Sequence, residues 1–548
     1  MKKLLALLLP AIILLSACTP GVSDDTVGTR NGAESGDLGL LLEGEIAGEI
    51  TVSAFESIRY ESFLNEAAEK FETLYPGTSI NVVTFMAGPE VQTMEQDGQR
   101  VAMYFSERNV QDENDYIFRT GNEIMSGQGA DIFAMDILPF DRYARSGYLE
   151  DLSGYLEADS GFNRDDYMAN VLDAVRLDGR QYILPIGFSF DVITYNDELV
   201  DGNEIFGAGD PMSLEKLLSV GAEYLGRNQS ETSDTPVALI YSGRRQLFSN
   251  IFQADYGSFV DAAARRADFD SQKFADVLNL VQSLETDGLI HEGVFALAAA
   301  RPGGRGASVS GGGQSGERIM VPPSPDEIAE LMNVQSLFGT RQGNMLLQLL
   351  DTESQMQQQY FSPGTTLGEN NSIGTILANA EGDVEARITQ SFAMNANSEN
   401  KRLAWEFLKF LLSDEMQSST SNMSIPANRN AMAEKARYEV ASGVFGQGLR
   451  MGGVYGQGGA SGQGVGMRLE EDSTDAADIE LTENQLLVLN EYLELIRKFG
   501  GMINAWNPID GRIMDLVNEE TEQFFAGEKS AQDAASALQS RVTLYLNE

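Results

Sequence analysis

The hydrophobic pattern of residues 49–85 changes period twice, and this constrains the fold more than any other feature. A β-branched and aromatic run, EITVSAF (49–55), predicts a strand. Apolar residues at helical spacing follow from Phe63 to Leu74, and PGTSINVVTF (76–85) turns into a second strand. A strand, a helix and a strand in succession indicate a βαβ unit with parallel strands. The chain is therefore expected to have an α/β fold.

Similar alternation continues further along the chain. A third strand is predicted at 131–136, followed by a helix through Phe140 and Tyr143, whereas 86–129 is interpreted as a helix plus a surface loop. NMLLQLL (344–350) fits a strand or a buried helix equally well, and 387–394 resembles a strand. Further helices are expected at 213–225, 243–256, 271–287, 325–337 and 397–417, with two or three amphipathic helices in 481–548.

The chain has 548 residues. A single hydrophobic core rarely supports a chain of this length, so two or more lobes are expected. Residues 301–316 and 443–466 are too rich in glycine to pack and are interpreted as mobile surface insertions. A formal GxGxxG within 301–316 follows no strand and begins no helix, so it does not indicate a dinucleotide site.

The N-terminus has the composition of an export signal. Two lysines precede a short apolar run that ends in LSAC, and the run is too short to span a membrane. LSAC resembles a bacterial lipobox, which implies that residues 1–17 are removed and that Cys18 carries lipid. The acidic, glycine-rich segment 18–47 is typical of a flexible tether. The protein is thus expected at the outer face of the cell membrane.

Composition excludes several kinds of function. One cysteine and one histidine (His291) leave no basis for a disulfide framework, a metal centre or histidine catalysis. A formal net charge of −44 disfavours binding to nucleic acids and to anionic lipid headgroups, so the lipid would be the only membrane tether. No cofactor is predicted, and the acidic surface favours a monomer.

Aromatic and acidic residues follow the predicted strands. Phe55 and Glu56 end the first strand, and Met135 and Asp136 end the third. Because ligands of open α/β sheets bind at the carboxyl ends of the strands, these positions are candidates for a pocket. Another candidate is LPIGFSFDVITYND (184–197), an apolar run that a glycine interrupts.

Seven segments together resemble the extracellular solute-binding proteins of family 1, the sugar-binding subunits of ABC-type importers, to which maltose-binding protein belongs. These segments are ITVSAFES, EAAEKFETLYPGTSINVVTF, DIFAMD with RYARSGYLEDL, YILPIGFSFDVITYNDEL, FAMNANSENKRLAWEFLKFLLSDEMQ, IPANRNA and EKSAQDAASALQSRVTLYLNE. The resemblance implies a two-lobed periplasmic-binding-protein-like fold of type II. It also implies a cleft that closes on a carbohydrate, an ABC permease as partner, and no enzymatic activity.

By this resemblance, lobe one holds 48–187 and 375–424, and lobe two holds 188–374 and 425–548. Residues 184–197 match the family's first crossing between lobes, with Gly187 as the hinge, and the other crossings are expected near 372–377 and 424–429. The ligand-binding residues that the resemblance implies are Phe55, Glu56, Met135, Asp136, Phe188, Ser189, Phe190, Arg245, Gln246, Phe248, Asp351, Trp506 and Asp510. Aromatic faces stack on sugar rings, and carboxylates, amides and arginine bind hydroxyls.

Three alternatives remain open on the sequence alone. The first is a surface glycoside hydrolase that uses Glu56 and Asp136; an esterase is disfavoured because the chain lacks a GxSxG motif and has a single histidine. The second is a binding protein for a solute other than a sugar. The third is a structural or adhesion lipoprotein that keeps the fold without transport.

Overall fold

A computed structural model gives the fold of the chain. It describes residues 46–55, 58–85, 90–96, 99–105, 110–207, 209–228, 238–291, 346–352, 371–422, 424–442 and 481–547. The predicted export signal, Cys18, the tether up to residue 45, the helix at 325–337 and both glycine-rich insertions lie outside the described residues.

The first lobe is built on a six-stranded sheet with the order β15-β6-β14-β5-β1-β2. Its strands are β1 (Gly48–Phe55), β2 (Thr78–Phe85), β5 (Ile132–Ala134), β6 (Ile183–Ser189), β14 (Arg387–Met394) and β15 (Ile425–Pro426). The predicted βαβ unit is confirmed: β1 and β2 are parallel, in register from Gly48↔Thr78 to Phe55↔Phe85, and are joined by α1 (Ile58–Leu74). β14 is antiparallel to both β5 and β6, so the sheet is mixed.

Apolar side chains of α1 and of α11 (Lys401–Leu411) form the core beneath this sheet. Phe71 of α1 meets Phe407 of α11 edge to face, with ring centroids 5.3 Å apart. Trp405 is fully buried between Tyr155 and Phe162, and its indole N–H donates to Asp159 Oδ2 over 2.8 Å. The predicted helix 397–417 is therefore largely correct, although a second short helix, α12 (Asp414–Ser418), replaces its last turn.

The interpretation of 86–129 was incomplete. The structure has an antiparallel hairpin there, β3 (Glu90–Gln96) and β4 (Gln99–Phe105), before helix α2 (Val110–Met125). The hairpin strands carry glutamine, glutamate and arginine among their apolar residues, so they lack the apolar run of a buried strand. Lobe one also contains the short helices α3 (Phe140–Arg145), α4 (Ser153–Ala158) and α5 (Ala169–Ala174).

The second lobe contains a three-stranded sheet of order β12-β7-β13, formed by β7 (Asp191–Asn196), β12 (Leu347–Asp351) and β13 (Asn371–Ile376). The ambiguous segment 344–350 thus forms a strand from Leu347 onward, and residues 344 and 345 lie outside the described residues. β12 also approaches the parallel pair β8 (Ile240–Tyr241) and β11 (Ile290–His291), because Leu347 N donates to Leu239 O. A short antiparallel pair, β9 (Val260–Asp261) and β10 (Arg266–Ala267), lies beyond it.

Helices surround this second sheet. They are α6 (Gly202–Phe206), α7 (Leu214–Asn228), α8 (Arg244–Ala254), α9 (Tyr256–Phe259), α10 (Gln272–Thr286), α15 (Gly511–Phe525) and α16 (Ala531–Asn547). Their core is aromatic: Phe248 and Phe252 of α8 stack with centroids 6.1 Å apart, and Phe274 meets both edge to face. α13 (Arg429–Ser442) and α14 (Glu483–Gly500) follow β15 of the first sheet and pack together on a third core, which also contains Phe188 of β6 and Val192 of β7. Within the described residues, no helix is long and apolar enough to cross a membrane.

Three described segments connect the two lobes, and their positions differ in part from those expected. The chain leaves the first sheet at Ser189 and enters the second at Asp191, as the pattern of 184–197 predicts. It returns through 377–386, because β13 still pairs with β7, so lobe one resumes at residue 387 rather than at 375. The third connection is 501–510 rather than 424–429, because β15 still pairs with β6 of the first sheet.

Gly187 does not lie where the chain changes sheets. It is in the middle of β6, with β14 on one side and β15 on the other. A Cβ atom at this position would lie 2.1 Å from Ser424 Cβ and 2.9 Å from Thr389 Oγ1. The glycine thus permits a close approach of neighbouring strands. The chain changes sheets at Phe190 instead, and the position of a hinge stays a prediction.

We expect Gly187→Ala to lower the free energy of unfolding by about 1–3 kcal/mol, because the added methyl group overpacks this contact. Gly226→Ala is the matched control: Gly226 lies in α7, and a methyl group there would have no other atom within 4 Å, so alanine is expected to be neutral or slightly stabilising. Chemical denaturation measures both. Equal stability of the two variants would contradict the packing role of Gly187.

Candidate binding site between the lobes

A cavity of about 220 Å³ lies where the three connections meet. Its described lining comes from both lobes and from every connection, which is the position of a ligand in a two-lobed fold. The lining residues are Met135, Asp136, Leu138, Phe140, Phe190, Asp191, Asn250, Gln253, Ala254, Leu377, Ala378, Asn379, Glu385, Ala386, Arg387, Ile388, Ser391, Trp506, Asn507, Pro508 and Ile509.

Lobe one contributes a fixed carboxylate. Asp136 is the second residue after β5, and its Oδ2 accepts a hydrogen bond from the hydroxyl of buried Tyr60, while Oδ1 accepts from Ser391 N over 3.3 Å. Burial and the charge of Asp136 hold the pKa of Tyr60 well above its usual value, so the phenol remains a hydrogen-bond donor. Asp136 is thereby oriented as an acceptor at the wall of the cavity.

The first connection contributes an ion pair. Arg387, at the start of β14, lies 2.6 Å from Asp191, the first residue of β7. The pair joins the first residues of two strands that belong to different sheets, and about half of the arginine side chain is exposed. Both residues line the cavity.

The second and third connections are held together by hydrogen bonds around Glu385. Its Oε1 accepts from Asn379 Nδ2 over 3.0 Å and from Asn507 Nδ2 over 2.7 Å. Asn504 of the third connection accepts from Val384 N. Burial raises the pKa of Glu385 to about 7, with smaller contributions from Asp255 and Asp383, although the two amide hydrogen bonds act in the opposite direction.

Aromatic rings give the cavity flat apolar surfaces. Trp506 of the third connection packs against Phe140 of α3, with ring centroids 5.3 Å apart and planes inclined by 47°. Phe190 at the strand change also lines the cavity. Aromatic faces beside carboxylates, amides and an arginine are the combination that binds the C–H faces and hydroxyl groups of sugars.

Four of the residues expected from the sequence line this cavity: Met135, Asp136, Phe190 and Trp506. Their part in ligand binding stays a prediction. Glu56 and the side chain of Asp351 lie outside the described residues.

Helix α8 reaches the cavity with a different face from the one expected. Its cavity residues are Asn250, Gln253 and Ala254, in the second half of the helix. Arg245 is instead paired with Glu522 of α15 at 2.9 Å, and Gln246 donates to Asn250. Phe248 is buried in the aromatic core, so it presents no surface to a cleft. The helical period places Arg245 and Phe248 away from the face that Asn250 and Gln253 share.

The other expected residues are absent from the described lining of the cavity. Phe55 packs on Phe85 and Tyr116, and Phe188 and Ser189 are fully buried in β6. Asp510 caps the N-terminus of α15 and accepts a hydrogen bond from Tyr545. Strand alternation explains the difference between Phe190, which lines the cavity, and Ser189, whose side chain points to the other side.

No sequence pattern indicated Asn379, Glu385, Arg387 or Asn507. Asn379, Glu385 and Asn507 lie in connections without hydrophobic period, and only Asn507 adjoins an expected residue, Trp506. Of these four residues, only Arg387 lies at one end of a predicted strand, 387–394, and this position was the one available indication of a pocket residue.

Comparison with known proteins agrees with this architecture. Residues 106–442, more than half of the chain, match the family model of the bacterial extracellular solute-binding proteins. The chain belongs to this family. Its members are extracellular, so this solute-binding protein is exported. A search of curated proteins found no match.

Solved structures share the two-lobed fold. An extracellular solute-binding protein family 1 structure from Alicyclobacillus acidocaldarius has a TM-score of 0.50 at 12% identity, over 92% of this chain and 100% of that one. A de novo designed cysteine esterase, ECH19, has a TM-score of 0.51 at 12% identity, over 92% of this chain and 99% of that one. Identities this low establish the fold alone, and the expected two-lobed α/β class is confirmed.

Proposed function

We propose that this solute-binding protein captures a carbohydrate by closing its lobes and delivers it to an ABC-type importer. The observation that carries the proposal is the pair of rings Trp506 and Phe140 beside Asp136 and Glu385, in a cavity that all three connections line. A sugar ring stacked on Trp506 would place its hydroxyls within reach of these carboxylates. Lobe closure would then remove the bound sugar from solvent.

Binding is tested with the exported chain and a panel of mono- and oligosaccharides. Thermal shift identifies the ligand, calorimetry measures its affinity, and X-ray scattering in solution detects closure as a smaller radius of gyration. If no sugar stabilises the protein while a peptide or another solute does, the carbohydrate part of the proposal is wrong and capture of a different solute remains.

We expect Trp506→Ala to weaken sugar binding at least about tenfold, because the stacking surface is lost. Phe118→Ala is the matched control: Phe118 is an aromatic residue of α2 that is 74% exposed and does not line the cavity. Calorimetry on both variants measures the difference. Unchanged affinity of the Trp506 variant would place the sugar elsewhere.

A binding protein releases its solute unchanged, whereas the alternative glycoside hydrolase would cleave it. Inverting and retaining glycosidases both need one protonated and one ionised carboxyl group, and Glu385 and Asp136 are the cavity carboxyls that would fill these roles. We expect no new reducing ends after long incubation with a bound oligosaccharide. Hydrolysis that disappears in Glu385→Gln would favour the enzyme.

The proposal includes a lipid anchor at Cys18, which the LSAC sequence supports. We expect Cys18→Ser to abolish labelling by radioactive palmitate and to move the protein from the membrane fraction into the medium. Ser16→Thr, a substitution next to the cleavage region that keeps the cysteine, is the control. Membrane retention of the Cys18 variant would contradict the anchor.

A further inference from the structure

The charges that line the cavity are unbalanced. The described lining includes three carboxylates, Asp136, Asp191 and Glu385, but a single basic side chain, Arg387. Arg387 is already paired with Asp191 at 2.6 Å. An anionic solute would therefore meet an excess of negative charge, which disfavours its binding.

Glu385 is a carboxylate that the described residues compensate only with neutral groups. Its described hydrogen-bond donors, Asn379 and Asn507, are neutral amides, and both bind the same oxygen, Oε1. No lysine or arginine of the described chain forms an ion pair with Glu385. The two charged groups that act on Glu385 are acidic: Asp383 on its own connection and Asp255 directly after α8, of which Asp255 is paired with Lys273.

The energetic consequence is a carboxyl group that is costly to ionise in the unliganded protein. Its pKa is raised to about 7, first by burial and then by the two neighbouring aspartates. A cation placed beside it would reverse this effect, because opposite charges within about 4–6 Å favour the ionised form. A positive charge beside Glu385 would therefore favour its ionised form.

The cavity lining that contains Glu385 also contains an aromatic residue, Trp506. Trp506 directly precedes Asn507, whose Nδ2 donates to Glu385 over 2.7 Å. Trp506 and Glu385 both line the cavity, so one solute there can bind in two ways, by stacking and by charge. Indole faces also attract cations.

We propose that the solute is an amino sugar, whose ring stacks on Trp506 and whose ammonium group binds Glu385. This inference rests on the proposed function, since it assigns a charge to the carbohydrate of the same cavity. Glu385 would act as the residue that distinguishes the amino sugar from its neutral counterpart.

The test compares matched ligand pairs that differ only in their amino groups. The pairs are glucose with glucosamine, galactose with galactosamine, and cellobiose with the β-1,4-linked glucosamine disaccharide, and 1,4-diaminobutane serves as an amine without a sugar ring. Thermal shift and calorimetry at pH 7.5 measure each ligand on the exported chain. We expect at least one amino sugar to bind at least about tenfold more tightly than its neutral partner.

Variants identify the residue responsible. Glu385→Gln is expected to remove the preference for the amino sugar while keeping the amide hydrogen bonds, and Glu381→Gln, an exposed change on the same connection outside the cavity lining, is expected to keep it. Arg387→Gln removes the only described basic side chain of the lining and is expected to increase the preference. An unchanged preference in Glu385→Gln overturns the role of this residue.

The outcomes separate this inference from the proposed function. Neutral sugars that bind as tightly as their amino counterparts overturn the inference and leave carbohydrate capture intact. Binding of 1,4-diaminobutane without any sugar overturns carbohydrate capture and with it the amino sugar. Absence of binding by every member of the panel contradicts both.

Discussion

Trp405→Ala is expected to lower the free energy of unfolding by about 3–5 kcal/mol, because it removes the largest fully buried side chain and leaves a cavity. The indole fills the space between Tyr155 and Phe162 and also donates to Asp159. Denaturant unfolding measures the loss. Ligand affinity is expected to stay unchanged, since Trp405 belongs to the core of lobe one.

Trp405→Phe separates packing from hydrogen bonding. Phenylalanine keeps most of the apolar surface, and Asp159 keeps its ion pair with Lys409 at 2.7 Å, so we expect a loss of about 1–3 kcal/mol. A loss below about 1 kcal/mol in the alanine variant would contradict the placement of this tryptophan in the core. The two tryptophans of the chain are thus tested by different measurements: the free energy of unfolding for Trp405 and the ligand affinity for Trp506.

Glu385→Gln is expected to stabilise the unliganded protein at high pH. The pKa of Glu385 is about 7 in the folded protein and is near the ordinary 4.5 in the unfolded chain. The folded protein therefore binds more protons between these values, and stability falls as pH rises from about 4.5 to 7. This loss amounts to about 3 kcal/mol when complete, and the glutamine variant avoids it.

The comparison is made by denaturant unfolding at pH 5 and at pH 8. We expect the variant and the parent protein to be nearly equal at pH 5 and the variant to be more stable at pH 8. Glu381→Gln, an exposed change on the same connection, is the control and is expected to alter stability by less than about 0.5 kcal/mol at both pH values. A variant that is less stable than the parent protein at pH 8 would show that the carboxylate is compensated in the folded protein.

The site was less predictable than the fold because its residues belong to no regular element. Asp136 and Phe190 could be expected, since each follows a strand that hydrophobic runs predict. Glu385 lies in a connection without period, and the two asparagines that bind it are 6 residues before it and 122 residues after it. Sequence spacing carries no information about contacts at that distance.

Helix α8 illustrates a second limit. Its existence was predictable, but the choice of Arg245 and Phe248 over Asn250 and Gln253 depended on which face meets the cavity. That face is fixed by the packing of Phe248 against Phe274 and Phe525, which come from other helices. All residues on one face of a helix point in the same direction, so an error in the predicted orientation of the helix affects every residue that is expected to reach the cavity.

The sequence by itself determined the βαβ start, the long helices and the change of lobe within 184–197, because each depends on local hydrophobic period. Only the tertiary structure decided the role of Gly187, which lies against Ser424 inside β6 rather than at a bend, and the convergence of Trp506, Asp136 and Glu385 on one cavity. The physical reason is the same in both cases: these contacts join strands and connections that are far apart in the chain, and packing sets them.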